Sequence, residues 1–315
     1  MEVEIIRRNV SSAFVQHYPE TQVDYLSVCR DLSTSVENNE IDIEELGIEP
    51  EVFVNRNTSD NPITEESNDT PSSSKKPLDS FDSANSVVSD LQELEFNRQR
   101  VRLTTEGHIR AVKRKFAERS AYNFTPVKNT PNTPVVATVD EIRDKDGKLM
   151  NNSTNEEGFY MFSFEAVKAQ AKVYDMLGIP NGNRHLCISN THYWDLDTLY
   201  GKERLEKYNE GGQVDGAIAK WYGFNIWRYT GNVFYNPVTK TKIAWGSTPT
   251  GIVSPVSFTF EAEACFMAQG DIDIFVTPRL QNNTVRKSTI GTQMRGIAAP
   301  FGQRHVGAIY SQPKP

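Results

Sequence analysis

"SFEAVKAQAKVYDMLGIPNGNRHLCISNTHYWDL", Ser163 to Leu196, reads as helix, strand and helix in direct succession. Phe164, Val167, Ala171, Tyr174 and Leu177 recur at spacings of three and four, so they line one face of a helix. Ser163 stands where an N-cap belongs, and Gly178 with Pro180 stops the helix. "RHLCIS" then has the apolar run of a short buried strand, and "NTHYWDLDTLYGKERL" predicts a helix capped at Asn190 or Thr191. Downstream, "DGAIAKWYGF" predicts a helix closing at Gly223. "FNIWRY" predicts a strand with Phe224, Ile226 and Arg228 on one face and Asn225, Trp227 and Tyr229 on the other. Phe224 and Trp227 are its expected core residues. This alternation over residues 161–255 marks a compact domain of strands and helices. Beyond it, "DIDIFVTP" and "HVGAIYS" return to strand patterning.

Upstream, "TTEGHIRAVKRKFAERSAYNF" predicts a helix over 104–124, capped at Thr104 or Thr105, with Glu106 in its first turn. Ile109, Val112 and Phe116 give it one apolar edge, and its other faces are basic. Before it, "IEPEVFVNRN" and "VVSDLQELEFNRQRVRL" both alternate as strands. They flank "TSDNPITEESNDTPSSSKKPLDSFDSANS", a long polar stretch. Two strands joined by such a tip predict a projecting hairpin; a disordered linker is the competing reading. The segment from Arg56 to Glu95 holds nine carboxylates against three basic residues, whereas Phe96 to Ser120 holds eight basic residues against two carboxylates. Such neighbours predict pairing of an acidic arm with a basic helix, within one molecule or between copies. In residues 1–47, Tyr25, Cys29 and Leu32 form one thin apolar stripe. It belongs to a frayed terminus or to a strap that packs on something else.

Several chemistries find no support. A net charge of −7 and an isoelectric point near 5.4 oppose nonspecific DNA binding. Three cysteines (Cys29, Cys187 and Cys265), far apart and odd in number, suit a reducing compartment better than a disulfide framework. No apolar run approaches membrane-spanning length. "MEVEIIRRNVSSAF" lacks the apolar core of a signal peptide, and a cytoplasmic protein is the expectation. His185, Cys187 and His192 are too few, and too oddly spaced, for a structural zinc site. There is no phosphate-binding loop and no nucleophile elbow. Asp195 and Asp197 fall on different faces of their helix and are expected to be solvated. No enzyme activity, cofactor or metal is expected.

Taken in order, "GIEPEVFVNRN", "ERSAYNFTP", "LGIPNGNRHLCISNTHYWDL", "GAIAKWYGFNIWR", "GDIDIFVTP" and "HVGAIYSQ" span roughly residues 45–311. As a set they resemble the major capsid proteins of tailed bacteriophages with the Hong Kong 97-type fold. The resemblance is nearest to versions from phages of Bacteroidetes hosts, including crAss-like phages. It implies an α+β fold in four parts: an N-terminal arm (1–47), an extended loop (48–98), a peripheral domain (99–160 and 256–315, with spine helix 104–122) and an axial domain (161–255). It implies self-assembly into pentamers and hexamers of an icosahedral head, formed in the host cytoplasm and enclosing double-stranded DNA without sequence-specific binding. Scaffolding, portal and decoration or head-fibre proteins are the implied partners, and no membrane is. The stretch "TPVVATVDEIRDKDGKLMNNSTNEEG" matches no pattern of that family. On this reading the expected subunit contacts are Glu65, Glu66, Asp69, Asp79 and Asp82 on the acidic arm, Arg110, Lys113 and Arg114 on the helix, and Trp221, Tyr222 and Tyr229 in the aromatic stretch. Two rivals are a nucleic-acid-binding protein using the basic helix and a cellular shell compartment of the same fold. A third, an enzyme with a pocket near Trp194, Trp221 and Trp227, lacks an acid–base set.

Overall fold

The computed structural model describes residues 24–37, 39–45, 72–89, 99–143, 148–151, 153–201, 219–229, 233–248, 251–277, 287–302 and 305–314. After a short 3-10 turn at Asp24–Val28, the strands run β1 (Arg30–Asp31), β2 (Val36–Glu37), β3 (Glu40–Glu45), β4 (Ser72–Pro77), β5 (Asp79–Asp82) and β6 (Ser86–Ser89). Helix α1 (Gln99–Phe124) precedes β7 (Val135–Ala137), β8 (Glu141–Arg143) and β9 (Leu149–Asn151). Then come α2 (Phe164–Met176), β10 (Arg184–Ser189), α3 (Asn190–Tyr200), β11 (Ala219–Trp221) and β12 (Phe224–Tyr229). The chain closes with β13 (Phe234–Asn236), β14 (Thr241–Lys242), β15 (Ser254–Glu261), β16 (Cys265–Thr277), β17 (Lys287–Pro300) and β18 (Val306–Tyr310).

The stretch 163–196 folds as its pattern dictates. Phe164, Val167, Ala171 and Tyr174 are buried along α2, and Gly178 takes a φ of 72° just past its end. Ser163 is extended at the N-cap, but its hydroxyl makes no capping bond. The cap of α3 lies one residue earlier than predicted: the Ser189 hydroxyl accepts from the His192 amide at 3.4 Å. All six residues of β10 are buried because both faces of its sheet are covered. β10 runs parallel to β12 and antiparallel to β15, inside an eight-stranded sheet ordered β11-β12-β10-β15-β13-β14, with β18 and β7 added beside β15. The expected axial and peripheral segments therefore share one sheet.

Alternation along β12 divides the core. Phe224 and Ile226 turn with Leu186 and Ile188 toward α2 and α3, in a cluster with Phe164, Tyr174 and Leu196. Trp227 and Tyr229 turn the other way, with Cys187, Phe258 and Phe260, toward Phe116 and Phe124 of α1. Phe124 stacks on Phe260 at 5.2 Å, and Tyr25 inserts edge-on against Phe258 at 5.6 Å. The second sheet, β1-β16-β17-β5 with β6 also on β17, meets the same cluster through Cys265, Met294 and Ala298.

Three sequence expectations need correction. The helix begins at Gln99, so Gln99–Leu103 is helical rather than strand, and Thr104, Thr105 and Glu106 sit inside the helix instead of at its start. Gln, Arg and Leu are strong helix formers, and nothing in that run breaks the helix. "AKW" is strand β11 rather than the end of a helix. Tyr222 (φ 46°) and Gly223 (φ 84°) form a two-residue turn that pairs Trp221 with Phe224. Glycine past a helix and glycine in a hairpin turn carry the same sequence signal, since both need positive φ. Finally, part of the supposed polar tip is strand. β4 pairs with β3 over Glu40↔Pro77 to Glu45↔Ser72, while β5 and β6 add to β17. The predicted strand over 48–57 lies outside the described residues, as does 90–98 of the second predicted strand, whose first residues, Val87–Ser89, fall in β6.

Candidate assembly surfaces

The basic face of α1 looks across an open groove of about 1230 Å³ toward β5 and the loop at Ile243–Ser247. β5 is fastened to the helix along this groove. Arg119 Nε donates to Asp79 Oδ2 at 2.9 Å, and Phe81 stands edge-on to Phe116 at 5.7 Å. His108 Nδ1 lies 2.8 Å from Ser83 Oγ, which also accepts from the Thr292 amide at 2.9 Å. The Asp79–Arg119 pair is partly exposed, so it contributes no more than about 1 kcal/mol and serves mainly to set register. Opposite it, Trp245 stands edge-on to Tyr122 at 5.4 Å, with the Arg119 guanidinium 5.4 Å and the Lys115 ammonium 5.9 Å from its ring centre. Lys242 Nζ donates to the carbonyls of Tyr122 (2.8 Å) and Thr125 (2.5 Å), capping the end of α1. Burial, helped by the Arg119 charge, lowers the Lys242 pKa to about 7.

The expected contact residues separate into groups. Glu65, Glu66 and Asp69 lie outside the described residues. Asp79 is spent on Arg119 of its own chain, and Asp82 is exposed, accepting from the Ser80 hydroxyl at 3.1 Å. Arg110 is exposed, 4.0 Å from Glu106 one turn earlier, and Arg114 is exposed beside it. Lys113 is only 6 % exposed, and burial lowers its pKa, so it belongs to the interior rather than to a surface. Trp221 and Tyr229 are corrections of the same kind. Trp221 packs edge-on to Phe164 at 5.0 Å, and the Tyr229 hydroxyl donates to the Val256 carbonyl at 2.5 Å. Strand alternation turns both side chains into the core of this chain. Tyr222, between them at the turn, is 44 % exposed.

Other features escaped the sequence reading. Trp194 is 61 % exposed on α3, next to Tyr193, whose ring carries the Arg228 guanidinium 4.0 Å above its centre. Aromatic periodicity in "THYWDL" was the available signal, yet Arg228 comes from a distant strand. Asp195 is buried, accepting from the Phe162 amide at 3.0 Å, rather than solvated. Burial pushes its pKa up to about 6 despite that bond. His192 lies between the Ser257 and Ser311 hydroxyls at 2.6 and 2.8 Å, and burial pushes its pKa down to about 3. The His185 ring accepts from Trp227 Nε1 at 3.0 Å. Both histidines thus serve as packed hydrogen-bonding groups. Among the described residues no cluster of three or more metal-ligating side chains occurs.

No protein-family model matches this chain, and no curated protein does. Solved structures do. The capsid of cyanophage P-SCSP1u superposes with a TM-score of 0.59 at 12 % identity, covering 95 % of this chain and 90 % of that one. The structure of Mycobacterium phage Che8 gives 0.54 at 11 %, covering 93 % and 92 %. The virus-like particle from Pyrococcus furiosus gives 0.51 at 10 %, covering 95 % of both chains. The chain has the mixed helix-and-sheet fold of phage capsid proteins along nearly its whole length.

Proposed function

We propose that this chain is the major capsid protein of a tailed phage, of the Hong Kong 97 type, and that its work is closed assembly. The observation that carries the reading is the fold likeness to shell-forming chains over 93–95 % of the sequence. Copies join head to tail into rings of five and six, and the rings close an icosahedron around double-stranded DNA. Nearness to phages of Bacteroidetes hosts belongs to this proposal, as do the scaffolding, portal and decoration partners. Residues 24–45 and 72–89 dock on their own body, so contact between copies falls to the acidic residues Glu65, Glu66 and Asp69 and to the exposed cations Arg110 and Arg114. Complementary charge of this kind fixes register and partner choice.

Negative-stain microscopy with sizing chromatography of the expressed chain tests the proposal. Closed particles are expected, and a monomer at every concentration overturns it. Reversing Arg110 and Arg114 to Glu raises the threshold concentration for assembly several-fold at low salt, with the monomer melting temperature unchanged; an unchanged threshold sinks the charge pairing. Lys113 is left out of that variant because its burial would confound folding with assembly. A second reading, a shell of the same fold that is not a virion, draws on the likeness to the Pyrococcus furiosus virus-like particle. Analysis of the packaged contents separates the two.

A further inference from the structure

We infer that Cys29 and Cys265 are a redox pair: oxidised by a peroxide, they close a disulfide that fastens the N-terminal strap to the body of the chain. β1 runs parallel to the first residues of β16, with Arg30 opposite Phe266 and Asp31 opposite Met267. One step back along that register, Cys29 meets Cys265. Residues opposite one another on neighbouring strands lie about 5 Å apart, within the span of roughly 4.4–6.8 Å between the α-carbons of a disulfide. Facing direction agrees. Phe266 turns toward Ile41 and Ile297, whereas Cys29 and Cys265 both belong to the cluster of Tyr25, Phe258 and Phe260. All three cysteines are free. Cys187 shares that cluster, but it lies inside β10, flanked by Trp227 of β12 and Phe258 of β15, so no rung sets it opposite Cys29.

In the closed body the pair is silent. Cys265 is fully buried and Cys29 nearly so. Burial pushes the Cys29 thiol up to about 12 and the Cys265 thiol well above its ordinary value. Neither is a nucleophilic thiolate at neutral pH. Oxidation therefore begins when the strap lifts. β1 is a two-residue strand at the edge of its sheet, and such elements open at lower cost than the whole fold. In the lifted strap the Cys29 sulfur attacks the peroxide O–O bond, becomes a sulfenic acid and releases one water. That step adds a single oxygen atom, so the strap can dock again. The Cys265 sulfur then attacks the Cys29 sulfur. The S–S bond forms as the S–O bond breaks, and the Cys265 proton leaves with the hydroxyl as a second water. The two sulfurs together give up two electrons, which the peroxide accepts. Chains made in a reducing compartment carry the pair as thiols, and shells that leave it close the bond. This timing, unlike the bond itself, rests on the shell reading above.

The test treats the full chain with hydrogen peroxide, caps the remaining thiols in denaturant and maps the peptides without reduction. A Cys29–Cys265 linked peptide is expected, with Cys187 recovered as a capped thiol. The melting temperature should rise by about 5 °C and return to its starting value with dithiothreitol. In Cys265→Ala, Cys29 should stop at the sulfenic acid and be trapped by dimedone; Cys187→Ala should leave the bond intact. A Cys29–Cys187 link, links only between chains, or three free thiols after oxidation overturn the inference, and these readings on the wild-type chain stand even if a variant fails to fold. A chain that forms the bond yet stays monomeric at every concentration upholds the inference and overturns the shell reading alone.

Discussion

At position 195 a carboxylate is buried, accepting from the Phe162 amide and hydrogen-bonded to the Asn155 side chain. Its raised pKa means that the folded state holds the proton more tightly than the unfolded chain does. Stability is therefore greatest below the ordinary carboxylate value of 3.8 and falls as pH rises to about 6, by at most about 3 kcal/mol. Asp195→Asn keeps an acceptor for the Phe162 amide and loses this slope; melting curves from pH 4 to 8 should flatten, with the gain largest above pH 6. His192 has the opposite sign. Its depressed pKa makes stability fall as pH drops from 6.5 toward about 3. Gly307 is a different kind of constraint. A Cβ there would overlap Gln170 Nε2 and stand 2.7 Å from Thr259 Oγ1, so Gly307→Ala should cost about 1–3 kcal/mol in urea unfolding. Residue-level surprises came from facing direction. Spacing says that Asp195 and Asp197 point apart, but not which of them points inward. Nor does it say that Trp221 and Tyr229 both have core to fill, one on each face of the sheet.

Among the elements, those buried on both sides were legible. β10, β12 and β18 carry their signal in nearly continuous buried runs, and α2 carries it in the three-and-four spacing of its one buried face. β5 ("DSFD") was not legible, since a polar edge strand takes its order from a partner, here β17, about two hundred residues away in sequence, whereas Val87–Ser89 of β6 fall at the start of a predicted strand. The start of α1 was misread for a related reason. The strand predicted through Leu103 gives way at Gln99, because the Gln, Arg and Leu of Gln99–Leu103 continue the turns of α1 without a breaker. The thin stripe at Tyr25 and Cys29 proved to be a strap on the chain's own body. Tyr25 is buried among Phe124, Phe258 and Phe260, and its hydroxyl donates to the Ala117 carbonyl at 3.1 Å. Tyr25→Ala should cost about 3–5 kcal/mol. It should also speed the reaction of Cys29 with a thiol reagent, while Cys187 and Cys265 stay protected until global unfolding. Equal rates at all three thiols would show that the strap does not open separately.

For the whole molecule, the ordered set of segments pointed to a capsid fold, and the superpositions bear out that level of the reading. Which surfaces meet in a shell was beyond sequence reasoning, because contacts between copies leave no periodicity in one chain. The ladder of β3 and β4 ends with Glu45 opposite Ser72, each the other's register partner. The two ends joined by residues 46–71 thus face each other across a single rung, so closing that interval puts no geometric demand on the β2-β3-β4 sheet. Foreign peptides of quite different lengths could be spliced into that interval at an entropic cost that grows only logarithmically with length, making it a natural display position for epitopes or tags. Chimaeras built this way should melt with the parent chain.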